Sequence, residues 1–324
     1  MQIRDWLVPI VNPRMSHARY HFSTHQVKVA PFLAAALAPD ALGALAALVG
    51  PIRMKDFQLA LITGGSSGIG LALAKALYQE GTSLCLLARD MTKLKKAQKG
   101  ISTLAINEYQ KVDIISCDAT DYQDLFQKLA KWTALAGLPD LVINAAGVTY
   151  PGYFQDLGLD IFHRQMDVNY FGTLNVIKCL IDDMIQRGSG TIVNISSQAG
   201  FVGVFGYSAY SPSKYAVRGL TDVLRSEMKP LGIDFHIVFP PDTETPQLAF
   251  EKDLKPPETK AIAGAASVLS AEKVAESILA GVKKGQYVII PGFEGKLIYR
   301  MIGLMGNLIY PLVDWIIRKA QKNK

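Results

Sequence analysis

From residue 58 to residue 290 the chain alternates two hydrophobic patterns. One is a short, almost unbroken apolar run: "QLALITGG" (58–65), "SLCLLARD" (83–90), "KVDIISCDATD" (111–121), "DLVINAAG" (140–147), "GTIVNISS" (190–197), "GIDFHIVFPP" (232–241) and "GQYVII" (285–290). The other spaces its apolar residues at three and four, as in "GLALAKALYQEG" (70–81) and "YQDLFQKLAKWTALAG" (122–137). The first pattern predicts strands covered on both faces, and the second predicts amphipathic helices between them. Parallel strands joined by right-handed helical crossovers wind into one open sheet. The predicted fold is therefore α/β: a doubly wound, parallel, seven-stranded sheet of the Rossmann type, in a single domain with tails.

That domain is expected over residues 54–291, because Met54 opens "MKDFQLALITGG" and the first strand follows at once. Residues 1–53 read as an N-terminal extension, either disordered or a mis-assigned start. Its "APFLAAALAPDALGALAALVG" is interrupted by Pro39 and Asp40, which makes it a poor membrane span; a span wants about 20 uninterrupted apolar residues. It is also a poor signal peptide, since a long polar lead precedes the apolar part. His17, His21 and His25 fall at helical spacing. No carboxylate or cysteine completes the set, so no metal site is expected.

Composition adds two exclusions. Cys85, Cys117 and Cys179 are scattered through apolar stretches, which predicts buried reduced thiols and no disulfide framework. The net charge of +6 is confined to the tails: residues 54–291 carry more acids than bases, and both flanks are basic. A nucleic-acid-binding body would carry its own basic face, so nucleic acid is not expected as a partner. Basic tails beside apolar stretches suit an anionic membrane surface.

The chemistry is expected where strands end. "TGGSSGIG" (63–70) joins the first strand to the first helix. Gly64, Gly68 and Gly70 let the backbone approach a diphosphate, and the helix amino end, with Ser66, Ser67 and Ile69, offers N–H donors. An acid at the end of the second strand would hold a ribose 2′-hydroxyl, but the chain has Arg89 there, with Asp90 one step later. A planar cation suits a 2′-phosphate, with Lys93 and Ser66 beside it, so the expected cofactor is NADPH/NADP+. Asp118 in "CDATD" is placed to cap an adenine amino group, and Asn144 in "NAAG" to pin the loop over the cofactor.

The stretch "YSAYSPSKYAV" (207–217) holds three tyrosines and one lysine. Only Tyr210 has the lysine four positions on, Lys214, on the same helix face. Tyr207 and Tyr215 read as packing residues. An ammonium beside a phenol stabilises the phenolate and is expected to lower its pKa. Ser197, at the end of the fifth strand, offers a hydroxyl to orient a carbonyl. The three together form a device that protonates a carbonyl oxygen while a hydride reaches its carbon.

"TGGSSGIG", "NAAG", Asn169 in "DVNYFG", Ser197 and "YSPSK" resemble the short-chain dehydrogenase/reductase family, in its order and spacing, over about residues 56–290. The resemblance implies that Tyr210 is the general acid, that Lys214 holds the nicotinamide ribose and tunes Tyr210, and that Ser197 positions the carbonyl. It implies that Asn169 holds a water relaying protons to Lys214. One segment departs from the family pattern: "FPPDTETP" (239–246) has Pro241 where most members have glycine. In this it is similar to the 3-ketodihydrosphingosine reductase branch. That likeness implies a long-chain lipid ketone as substrate, with Thr243 and Thr245 near the cofactor's carboxamide and diphosphate. A steroid, retinal or a ketoacyl thioester remains an alternative substrate, and a nucleotide-binding regulator without catalysis a third reading. A homodimer or homotetramer is a further expectation.

Residues 292–324 are expected to form an amphipathic, apolar helix. Thirteen uncharged residues separate Arg300 from Asp314, and a basic end follows Trp315. That is short of a clean span but suits a helix lying in a membrane interface. The competing reading packs it on the protein's own body or on a second subunit. The expected location is cytoplasmic and peripheral on a membrane, the ER membrane in a eukaryote.

Overall fold

The computed structural model describes residues 56–263 and 267–322; the expectations for residues 1–53, including the three histidines, and for a start at Met54 lie outside the described residues. Seven strands form one sheet: β1 (Leu59–Thr63), β2 (Ser83–Ala88), β3 (Val112–Ser116), β4 (Leu141–Asn144), β5 (Gly190–Ile195), β6 (Ile233–Val238) and β9 (Val288–Ile289). Their order is β3-β2-β1-β4-β5-β6-β9, and every pair is parallel. A separate parallel pair, β7 (Thr243–Glu244) with β8 (Leu269–Ser270), has no counterpart in the sequence reading. Two residues per strand are too few to show a period of two.

Strand alternation decides which helices sit where. On β1, Ala60 and Ile62 enter one core cluster and Leu61 the other; on β2, Leu84 and Leu86 divide from Cys85 and Leu87 in the same way. The first face is covered by α1 (Gly68–Gln79), α2 (Met91–Ser102) and α9 (Ala271–Lys283), through Leu73, Leu94 and Ile278. The second is covered by α3 (Tyr122–Ala136) and α5 (Gly172–Arg187), through Leu125, Trp132 and Ile177. Each such side chain, fully buried, contributes about 1.5–3 kcal/mol. Cys85 and Cys117 are buried as expected, whereas Cys179 is only half-buried.

Four further helices follow: α4 (Leu159–Met166), α6 (Tyr210–Met228), which packs Leu220, Leu224 and Met228 on the second face, α7 (Pro246–Glu251) and α8 (Pro257–Ala263). Between α4 and α5 the chain makes a π-helical turn, Asp167–Phe171, which carries Asn169. Such bulges interrupt the helical ladder and re-aim side chains.

The C-terminal segment differs from the single helix expected. It forms α10 (Phe293–Met305) and α11 (Ile309–Lys322), broken at Gly306, whose φ of 51° lies in the left-handed region. Tyr299 of α10 packs against Phe201 and Phe239, with ring centroids 5.1 and 6.0 Å away. So α10 takes the competing reading and belongs to the body. α11 packs against α8, yet leaves Tyr310, Trp315 and Ile316 exposed.

Candidate active site

The carboxyl ends of β1, β4, β5 and β6 open into a cavity of ≈ 350 Å³. It lies where the strand order reverses between β1 and β4, the position at which open parallel sheets bind ligands. Its wall includes Gly64, Ser67, Gly68, Ile69 and Gly70, and the loop after β4 is drawn close to them. A Cβ on Gly70 would stand 2.5 Å from the Gly64 carbonyl oxygen, and one on Gly64 2.9 Å from that of Ala145. A side chain at either position would collide with this backbone, so the close packing of the turn that forms the cradle requires glycine at both. No side chain caps the amino end of α1, so its first-turn N–H groups keep their donors for a ligand.

Ser66 is half-buried and off the cavity wall, whereas Ser67 is on it. Asn144 corrects the sequence reading. Its amide donates to Asn194 Oδ1 at 2.9 Å, and the loop after β4 is pinned by Thr63 Oγ1 instead, which accepts from the N–H groups of Ala145 and Ala146 at 3.1 Å each. Asp90 caps α2, accepting from Lys93 N at 3.0 Å. It therefore does not take the ribose-binding place of an acid. Arg89 stands exposed just beyond β2, with Nη1 3.8 Å from Asp118 Oδ2. Asp118 Oδ1 accepts from Thr120 N and Oγ1, which fixes its carboxylate beside the arginine. Lys93 Nζ is 3.9 Å from Asp90 Oδ2, and its side chain is 67% exposed.

The sequence-predicted chemical group does come together. Tyr210 begins α6 and is buried, with Ser197 and Gln247 beside it on the cavity wall. Lys214, one turn on, places Nζ 5.7 Å from the Tyr210 ring centroid and donates to Ile195 O at 3.0 Å. Asn169 lies behind them, fully buried. Its Oδ1 accepts from Val148 N at 2.8 Å, and its Nδ2 donates to Val148 O at 3.0 Å and to Ser213 Oγ at 2.8 Å. Asn169 thus holds the loop after β4 against α6.

Burial dominates the protonation states. It pushes the Lys214 ammonium down to about 8. It also pushes the Tyr210 phenol above its ordinary value, aided by the charge on Glu251 and opposed by the nearby Ser197 hydroxyl. The expected lowering by Lys214 is therefore reversed in direction, because desolvation of a buried phenolate outweighs nearby attraction.

A second cluster in the same cavity was not legible in the sequence. Tyr207, read there as packing, turns its hydroxyl to Glu251 Oε2 and lies ring-to-ring with Tyr210, centroids 5.5 Å apart. Lys255 Nζ is 3.0 Å from Asp242 Oδ2 and 3.6 Å from Glu251 Oε2. Thr243 and Thr245 line the wall; Thr245 caps α7 through Leu248 N, and its methyl faces Gly68. Leu248, Ile262 and Ile298 add an apolar side.

Comparison with known proteins gives the same picture. Residues 58–254 match the short chain dehydrogenase family. The chain is similar to a 3-dehydrosphinganine reductase of Danio rerio, 39% identical over 249 residues, covering 76% of this chain and 75% of that protein. It is similar to a Bos taurus 3-ketodihydrosphingosine reductase, 38% identical over 239 residues, covering 74% and 72%. Among solved structures, a short-chain dehydrogenase from Streptomyces avermitilis superposes with a TM-score of 0.67 at 26% identity, covering 82% of this chain and 98% of that one. Levodione reductase shares the fold, with a TM-score of 0.68 at 24% identity, covering 75% and 99%.

Proposed function

Because this chain belongs to the short-chain dehydrogenase family, an oxidoreductase family, we propose that it reduces the ketone of 3-ketodihydrosphingosine to a secondary alcohol with NADPH. The observation that carries the reading is the cavity in which Ser197, Tyr210 and Lys214 meet below the glycine cradle. The names of the relatives supply the substrate, and the apolar side formed by Leu248, Ile262 and Ile298 suits its alkyl chain.

The cradle fits a dinucleotide. Gly64, Ser67, Gly68, Ile69 and Gly70 would hold the diphosphate, Arg89, Lys93 and Ser66 the 2′-phosphate, and Asp118 the adenine. Tyr210 and Lys214 would meet the nicotinamide ribose, and Thr243 and Thr245 would flank the carboxamide and diphosphate. When bound, the cofactor supplies the hydride that adds to the carbonyl carbon. Ser197 Oγ holds the carbonyl oxygen against the Tyr210 hydroxyl, which gives its proton to that oxygen as negative charge develops. Lys214, as an ammonium, stabilises the phenolate left behind, and Asn169 would hold the water that relays a proton back to Lys214.

No described helix is long and apolar enough to cross a membrane. The reading places the enzyme peripherally on a membrane surface. Exposed Leu304, Leu308, Tyr310 and Trp315, with Arg318 and Lys319 beside them, support this. Assembly as a homodimer or homotetramer belongs to the same reading, and the exposed, stacked rings of Tyr122 and Phe126 offer an apolar patch for it.

The test is NADPH oxidation with 3-ketodihydrosphingosine, a steroid ketone, retinal and a ketoacyl thioester in parallel. The sphingoid ketone should give the highest kcat/KM. A preference for any other carbonyl overturns the substrate, and no turnover of any of them overturns the enzyme reading.

A further inference from the structure

The substrate proposed above is an α-amino ketone: a primary ammonium sits on the carbon next to the carbonyl. Glu251 has the chemistry and the position to receive it. It ends α7, is buried, and lies on the cavity wall with Tyr207, Tyr210, Asp242 and Gln247.

Charge counting singles it out. The cluster holds two carboxylates, Glu251 and Asp242, and one ammonium, Lys255. Lys255 is shared between them, 3.0 Å from Asp242 and 3.6 Å from Glu251. The other partners of Glu251 are neutral: the Tyr207 hydroxyl on Oε2 and Gln247 Nε2, 3.5 Å from Oε1. A buried carboxylate without a full counter-charge is costly, and a cation arriving through the cavity would relieve that cost. Burial already pushes the Glu251 carboxyl above its ordinary value, and an ammonium beside it would draw the ionised form back.

Distance from the reaction centre fits as well. Tyr207, whose hydroxyl meets Glu251, lies ring-to-ring with Tyr210, centroids 5.5 Å apart, and Gln247 Nε2 is 3.5 Å from Glu251 Oε1. The carboxylate therefore stands one ring away from the proton-donating residue. In an α-amino ketone the nitrogen lies two bonds from the carbonyl carbon. With the carbonyl oxygen on Tyr210, the ammonium can turn toward Glu251 on the same cavity wall.

Resting on the amino-ketone reading, we propose that Glu251 binds the substrate's ammonium group and thereby selects amino ketones over plain long-chain ketones, with Gln247 and Tyr207 orienting its carboxylate. The experiment compares kcat/KM for three substrates of equal chain length: the free amino ketone, its N-acyl derivative and the ketone lacking the amine. Wild type should prefer the free amine over both others by at least about tenfold, the scale of one charge-assisted contact. Glu251→Gln should collapse that ratio, mainly through KM for the free amine, and Glu251→Asp should retain most of it. Asp242→Asn should preserve the ratio better than Glu251→Gln. Equal kcat/KM for all three substrates in wild type overturns the proposal while leaving the reductase intact, and needs no variant to fold. So does a Glu251→Gln enzyme that loses all three in proportion, since that is the signature of a structural residue. Wild type that reduces none of the three fails the reading beneath it.

Discussion

Arg89→Ala isolates cofactor choice from stability because of where the arginine stands. Its side chain is 58% exposed and its nearest acid, Asp118, is 42% exposed at 3.8 Å. An exposed pair at that separation is worth roughly 0–1 kcal/mol, so the unfolding midpoint should barely move. A charge-assisted contact with a 2′-phosphate is worth about 1.5–3 kcal/mol. At about 1.4 kcal/mol per decade, the Kd for NADPH should rise roughly 10- to 150-fold. NADH lacks that phosphate and should keep its Kd within about threefold, the reach of an incidental surface change. Fluorescence titration of both nucleotides on both proteins reads the selectivity directly. Parallel weakening of NADPH and NADH, or no change in either, would refute the placement of the 2′-phosphate at Arg89.

Three other outcomes are expected. Tyr210→Phe should bind NADPH as before yet lower kcat at least ~10²-fold, since it removes the proton donor; single-turnover kinetics with kcat near wild type would sink that role. Lys214, held at about 8, is charged below that pH and neutral above it, while the Tyr210 phenol, pushed upward, stays protonated. The kcat/KM profile should therefore fall as pH rises through about 8, and Lys214→Arg should move that limb upward; an unchanged limb in the variant assigns it elsewhere. A chain ending at Gly306 keeps the Tyr299 contacts but lacks α11. It should bind anionic liposomes less in flotation and still reduce a short soluble ketone, and a full-length chain that stays unbound at low salt refutes the membrane reading.

How much of this was readable beforehand follows from the range of each interaction. The seven strands announce themselves because two-sided burial demands continuous apolar runs, and Ile62, Leu86 and Ile143 align in register accordingly. Tyr210, Lys214 and the glycine cradle are legible because their spacing is local. Glu251 is not: it meets Tyr207 across 44 residues, and nothing near it in the chain distinguishes it from a surface acid. The role given to Asn144 went to Thr63 for the same reason, since the choice depends on which neighbouring strand each side chain faces. The direction of the Tyr210 shift was missed because a spacing of four reports the lysine but not the burial.

The placement of β1 between β2 and β4 bears on how the chain is made. One edge of β1 is satisfied as soon as the nearby β2 emerges. The other pairs with β4, which begins at Leu141, long after Thr63. At about 5–20 residues per second of translation, that edge waits on the order of 4–16 s for its partner. During the wait a nascent wing of three apolar strands has an open central edge, the geometry that invites pairing with other chains. A chaperone acting on this protein during synthesis should therefore be most needed in that interval, and a ribosomal pause after β3 should lower its soluble yield more than a pause after β6.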